Sequence, residues 1–120
     1  MSNWIFWGAI VSALSVVAGA FGAHALAAKL DPKALALWET AARYAMYGGL
    51  ALVQVGLFAR SGGKVNAAGY CLLAGVAIFS GTVFTLALGG PRILGAITPI
   101  GGTLMIVGFV IFAVSALKTL

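Results

Sequence analysis

Five side chains that could move a proton or form hydrogen bonds lie between residues 24 and 54 of a strongly apolar chain. They are His24, Glu39, Arg43, Tyr47 and Gln54. On a helix the last four fall within about 80° of arc and therefore share one face. Glu39 precedes Arg43 by four residues, which is the favourable order for an ion pair along a helix. If the chain reverses near Asp31, His24 comes to the level of Glu39.

Three interpretations of this polar group are open. It could be a hydrogen-bonded lock that fixes the register of two neighbouring helices. It could be a proton or ion path, because ionisable groups inside a membrane often mark such paths. The side chains could also reach the head groups separately, with no contact among them. We expect the lock, since between Gln54 and the predicted end of the helix at residue 59 there are only Gly56 and apolar residues, which do not continue a path within one protomer.

Other kinds of chemistry find little support in the sequence. The chain contains one His, one Cys and two acidic residues, too few ligands to predict a metal site. No nucleophile–base pair or phosphate-binding loop stands out, so we expect neither an enzyme nor a cofactor. The net charge of +5 comes from the scarcity of acids, and the basic residues are spread over the ends of apolar runs. Nucleic-acid binding, which needs a concentrated basic face, is therefore not expected.

The overall composition indicates contact with lipid. Of the 120 residues, 62% are hydrophobic and 8% are charged, whereas soluble domains contain about 25% charged residues. A small soluble domain buries only about 60–70% of the surface that its unfolded chain exposes. Such a domain could not hide this much apolar surface, so the sequence predicts an integral membrane protein whose surroundings are membrane lipids.

Apolar runs separated by short polar turns predict an all-α, up-down-up-down four-helix bundle. It forms one transmembrane domain over residues 1–120, with both termini on the same side. The predicted helices cover residues 4–28, 32–59, 66–88 and 99–118. The first is long enough to cross a core of about 30 Å. Two helix starts carry a capping residue followed by proline, and residues 89–97 are predicted as a loop. The predicted caps are Asp31, Pro32, Thr98 and Pro99.

Small side chains recur along the first predicted helix at alternating steps of four and three residues. They are Gly8, Ser12, Ser15, Gly19 and Gly22. In lipid, helices associate where small residues let their backbones approach closely. This stripe is therefore predicted to face neighbouring helices, and Gly81 is predicted to continue the seam on the third helix.

Four motifs in order resemble those of the small bacterial membrane-protein family called domain of unknown function 423, which is similar to eukaryotic transmembrane protein 256. The motifs are GAFGAHAL at residues 19–26, WETAARYAMYGGLAL at 38–52, FSGT at 79–82 and ITPIGG at 97–102. The resemblance implies a four-helix protein of the bacterial inner membrane, with no established activity or cofactor. Family members typically have histidine after the Arg-Tyr motif where this chain has Gly48.

These observations lead to two functional hypotheses. The first is a non-enzymatic structural or accessory membrane protein, acting as a homo-oligomer or as a subunit of a larger complex. The alternative is a small transporter or channel with a proton or ion path at an oligomer interface. The direction in which the face of Glu39 and Arg43 points separates the two hypotheses. A face towards a wet cavity or a symmetry axis favours transport, and a face against the first and third helices, with every polar atom paired, favours the structural role.

Overall fold

The computed structural model describes residues 3–119 as four helices, and no strand occurs within that range. The all-α architecture predicted from the sequence is confirmed. The helices are α1 (Trp4–Phe21), α2 (Pro32–Arg60), α3 (Asn66–Ala87) and α4 (Leu94–Thr119), with a π-helical turn over Gly22–Leu26 after α1.

The connection between α1 and α2 is short and well capped. The side chain of Asp31 accepts a hydrogen bond from the backbone N–H of Ala34 at 2.7 Å. Pro32 follows in the first turn of α2, where its missing N–H removes no helical bond. The first predicted helix was expected to continue as regular α-helix to residue 28. Instead α1 ends at Phe21 and widens into the π turn.

The start of α4 corrects a prediction. The chain reverses tightly at Gly89, whose φ is +92°, and α4 begins at Leu94. Thr98 and Pro99 therefore lie inside the helix and do not cap it. The Thr98 hydroxyl is bonded both to the Leu94 carbonyl at 2.9 Å and to the Thr82 hydroxyl at 2.6 Å. Proline is tolerated inside membrane helices where such neighbouring groups satisfy the local backbone.

The helices pack serially, each along the one before it. Lengthwise contacts join α1 to α2, α2 to α3 and α3 to α4, whereas α1 and α4 do not pack along each other. The molecule measures 49 × 27 × 21 Å. Its larger core cluster lies towards the end where α1 and α3 begin, and consists of Trp4, Ala51, Leu52, Val55, Val65, Ala68 and Leu72.

Three of the helical segments are long and apolar enough to cross a membrane. They are Trp4–Leu26, Asn66–Ala87 and Leu94–Lys118. The longest helix, α2, has 29 residues and is not among them. It nevertheless lies lengthwise between α1 and α3, two helices that qualify. Polar residues that include Glu39, Arg43 and Gln54 lower its hydropathy.

Candidate interaction surface on helix α2 and a basic crevice

One face of α2 is built from small residues and fits between its neighbours. The buried residues of α2 are Ala41, Ala42, Ala45, Gly48, Gly49, Ala51, Leu52, Val55 and Gly56. At Gly49 a Cβ atom would lie 2.6 Å from the Ser12 hydroxyl, and at Gly48 it would overlap the Val76 side chain. Because no larger residue fits at these crossings, α1 and α3 hold α2 by its small face.

Two buried serines fix the rotation of α2. Ser15 of α1 donates a hydrogen bond to the carbonyl of Ala42 at 2.5 Å, and Ser80 of α3 donates one to the carbonyl of Ala41 at 2.8 Å. Both serines are 5% exposed. Adjacent carbonyls of one helix are thus bonded from two sides, so the opposite face of α2 must point outwards.

Trp38 ties the beginning of α2 to both neighbouring helices. Its indole N–H donates to the Ala18 carbonyl at 2.7 Å, and its ring packs edge-on against Phe84 at 4.5 Å between centroids. A Cβ atom on Gly22 would lie 2.5 Å from this ring. The π turn begins at Gly22, as expected where an inserted side chain disturbs the helical bonding pattern. This role of Trp38 was not predicted from the sequence, although the residue opens the motif at 38–52.

The predicted polar network does not form inside the bundle. The structure places all five of its members on the outer surface: His24, Glu39, Arg43, Tyr47 and Gln54 are exposed. Within residues 3–119 no hydrogen bond or ion pair joins any two of them. Contacts between small side chains, the hydrogen bond of Ser15 and the side chain of Trp38 hold α1 and α2 together instead. The physical reason is steric, since two helices can approach α2 closely only over alanine and glycine.

The exposed residues form a continuous row along α2. We call Glu39, Arg43, Tyr47, Leu50 and Gln54 the α2 stripe. Their spacing keeps them within about 80° of arc, centred opposite the buried face. Tyr47 and Leu50 are 48% and 49% exposed. The stripe therefore combines one acid, one base, two polar side chains and one leucine on a surface that otherwise displays large apolar residues.

The predicted packing stripe of α1 is only partly at the helix contact. Gly8 faces the backbone of Gly49 and Val53, and Gly22 faces Trp38. Ser12 lies against Gly49, and Ser15 makes the bond described above. Gly19 is different, because a Cβ atom there would meet nothing within 4 Å.

On the third helix Gly81 also corrects the prediction. It is exposed and would meet nothing within 4 Å, so it is not part of a seam. The close crossing of α3 and α4 uses Gly75 and Gly101 instead. A Cβ atom on Gly101 would lie 2.4 Å from the backbone nitrogen of Phe79.

A crevice of about 1000 Å³ opens at the end of the bundle where α1 begins, α2 ends and α3 begins. We call it the basic crevice and define it by Asn3, Ile5, Arg60, Lys64, Val65 and Asn66. The Asn66 side chain accepts a hydrogen bond from the Trp4 indole at 3.1 Å, which anchors the start of α1 to α3. Among residues 3–119, none of those that line the crevice is acidic.

Over residues 3–119, no group of three or more His, Cys, Asp or Glu side chains is placed to hold a metal ion. Cys71 is half-buried in α3. Ionic and hydrogen-bonding side chains are present at the α2 stripe and at the basic crevice.

Comparison with known proteins agrees with the motifs. The model of the family "Protein of unknown function (DUF423)" matches residues 18–102, which include the whole of α2 and α3, the end of α1 and the start of α4. The chain belongs to the DUF423 family. No solved structure matches it.

Curated members of this family resemble the chain over its whole length. A UPF0382 membrane protein of Staphylococcus haemolyticus is 46% identical, and one of Staphylococcus epidermidis is 45% identical, each over 98% of both chains. The UPF0382 membrane protein YwdK of Bacillus subtilis is 42% identical over 100% of both chains. These names establish a membrane protein and state no activity.

Proposed function

We propose that this DUF423 protein is a non-enzymatic structural or accessory protein of the bacterial inner membrane, which assembles through the α2 stripe. Glu39 and Arg43 do not pack against α1 and α3, which is the arrangement that was expected for a structural role within one chain. Their outward position, on a helix held between two apolar spans, supports a role in assembly with other membrane proteins. All four helices then cross the layer, and both termini lie on one side.

The position of the stripe is costly for a single chain in lipid. At about 1.5 Å per residue the 29 residues of α2 extend about 43 Å, more than the core of about 30 Å. With α2 centred on the layer, Glu39 lies just inside the core and Arg43 about one turn deeper. Placing a charged side chain at the centre of a membrane helix costs about 2.5–3.5 kcal/mol. Covering the stripe with protein groups that pair these charges lowers that cost.

A second copy of the chain has the complementary chemistry. Glu39 and Arg43 are one helical turn apart on the same row, about 6 Å along the axis. A two-fold axis parallel to two neighbouring α2 helices leaves each residue at the same height in both copies. Arg43 of each copy is then offset by about 6 Å along the axis from Glu39 of the other, and the long arginine side chain can span that offset diagonally. Such an interface is self-complementary and neutralises both charges in charge-assisted hydrogen bonds. The spacing of the row also suits two helices that cross at a small angle.

Charge exchange between copies tests this proposal. Donor- and acceptor-labelled chains in phosphatidylcholine vesicles report association by energy transfer as the protein is diluted in lipid. Arg43→Glu gives one copy two acids on the stripe, and Glu39→Arg gives another copy two bases. Each variant alone should associate at least 10-fold more weakly than the wild type, whereas an equimolar mixture should recover association.

Arg92→Glu, which makes the same charge change in the turn before α4, serves as the control and should leave association unchanged. Wild-type chains that transfer no energy above the level of random dilution would refute pairing of two copies. Equal association of both single variants and the wild type would show that the charges of the stripe are not at the interface.

A small transporter is the second candidate, because Tyr47 and Gln54 continue the polar row across the layer and would line the axis between two copies. In that case Glu39→Gln should abolish proton or ion flux into vesicles even at protein densities at which the variant still associates. A wild type without flux above that of protein-free vesicles would remove this candidate and leave the structural one.

A further inference from the structure

We propose that the basic crevice binds the phosphate-bearing headgroup of an anionic phospholipid. The inference rests on the residues at the opposite end of α2 from Asp31 and is independent of pairing through the α2 stripe. The crevice lies where the apolar segments Trp4–Leu26 and Asn66–Ala87 begin, which is the level of the head groups.

The lining of the crevice has two kinds of surface. Arg60, Lys64, Asn3 and Asn66 supply cationic and amide groups, while Ile5 and Val65 belong to its apolar part. Val65 is 2% exposed, so the apolar part is continuous with the core of the bundle. A ligand that meets both surfaces needs an anionic end and an apolar end. Phospholipids have that combination, and the volume of about 1000 Å³ is at the upper end of that of small-molecule sites.

The two cations have no counter-charge within the described part of the chain. Neither Arg60 nor Lys64 forms an ion pair within residues 3–119. Of the two acidic residues, Asp31 caps the start of α2 and Glu39 lies in its first half. Glu39 is 21 residues before Arg60 on the same helix, about 31 Å away. That distance exceeds the screening length of about 8 Å at physiological salt, so neither acid balances the charge of the crevice.

Arginine and lysine contribute in different ways at such a site. A guanidinium group can bind two phosphate oxygens at once, whereas an ammonium group acts as a point charge. Arg60 ends α2, and Lys64 lies four residues later, after the turn at Gly62. The turn therefore brings both cations to the same opening, where both can bind one phosphate group.

The test uses the full chain in a detergent without phosphate, with native mass spectrometry to count bound lipid. Phosphatidylglycerol, phosphatidylcholine and inorganic phosphate are added in separate arms. The wild type should retain one phosphatidylglycerol per chain in preference to phosphatidylcholine. Arg60→Gln with Lys64→Gln should weaken that binding about 30-fold, which corresponds to about 2 kcal/mol. Lys29→Gln with Lys33→Gln removes the same charge at the opposite end and should change binding less than 3-fold.

Two further measurements keep the outcome decisive. Arg60→Lys, which preserves the charge, should weaken phosphatidylglycerol binding by less than the double substitution does, and its melting temperature checks that the chain is folded. Equal losses in the two double variants would mean general attraction of a basic protein and would overturn the site. Binding of inorganic phosphate that excludes phosphatidylglycerol at equal concentration would overturn the lipid as ligand.

Discussion

Substituting Gly8 by alanine should separate α1 from α2. A Cβ atom at residue 8 would lie 2.6 Å from both the Gly49 carbonyl oxygen and the Val53 backbone nitrogen. Ordinary contact begins at 3.4 Å, so the new methyl group is nearly 1 Å too close to two backbone atoms. Backbone cannot rotate away as a side chain can, and overpacking of this kind costs about 1–3 kcal/mol. We expect Gly8→Ala to lower the free energy of unfolding by that amount.

The chain provides its own control on the same helix. A Cβ atom on Gly19 meets nothing within 4 Å, and alanine is favoured over glycine in a helix by about 1 kcal/mol. Gly19→Ala should therefore be neutral or slightly stabilising. Reversible unfolding in mixed micelles, followed by circular dichroism, measures both variants under the same conditions. Equal unfolding free energies for Gly8→Ala and Gly19→Ala would refute the close approach of α1 and α2 at Gly8.

The same reasoning applies elsewhere in the bundle. Gly101→Ala should destabilise the contact of α3 with α4 by about 1–3 kcal/mol, because its Cβ atom would overlap the backbone nitrogen of Phe79. Gly81→Ala should not be destabilising, because a Cβ atom there meets nothing within 4 Å. Similar melting temperatures for the two variants would contradict this. Trp38→Phe removes the bond to the Ala18 carbonyl but keeps a ring, and should cost about 1 kcal/mol. Trp38→Ala should cost about 3–5 kcal/mol, and urea unfolding that fails to rank these two variants would show that the ring contacts contribute little.

The helices were predictable because their signals are local. Long apolar runs between polar turns gave four helices, and Asp31 followed by proline gave the start of α2 within one residue. The start of α4 was missed for a physical reason. Thr98 and Pro99 look like a cap in isolation, yet the reversal at Gly89 lets the helix begin earlier. The Thr98 hydroxyl is then used inside the bundle, which only the packing of α3 on α4 reveals.

The orientation of α2 was not predictable from its polar residues. Hydropathy suggests that charges in a membrane bundle point inwards, and that rule led to the network around Glu39 and Arg43. The opposite face of α2 offered alanine and glycine at every crossing, and close packing over those residues determined the rotation. A wheel plot that weighed residue size together with polarity would have identified the buried face.

The serial arrangement of the helices has a consequence for biogenesis. Every extensive contact joins a helix to its immediate predecessor in the chain, so each span can dock as soon as it leaves the insertion machinery. The packing of α1 does not depend on the insertion of α4, since these two helices do not pack along each other. Ribosome-bound chains that end after α3 should therefore already hold Ser15 and Ser80 against α2, with only the Gly75–Gly101 crossing still to be made.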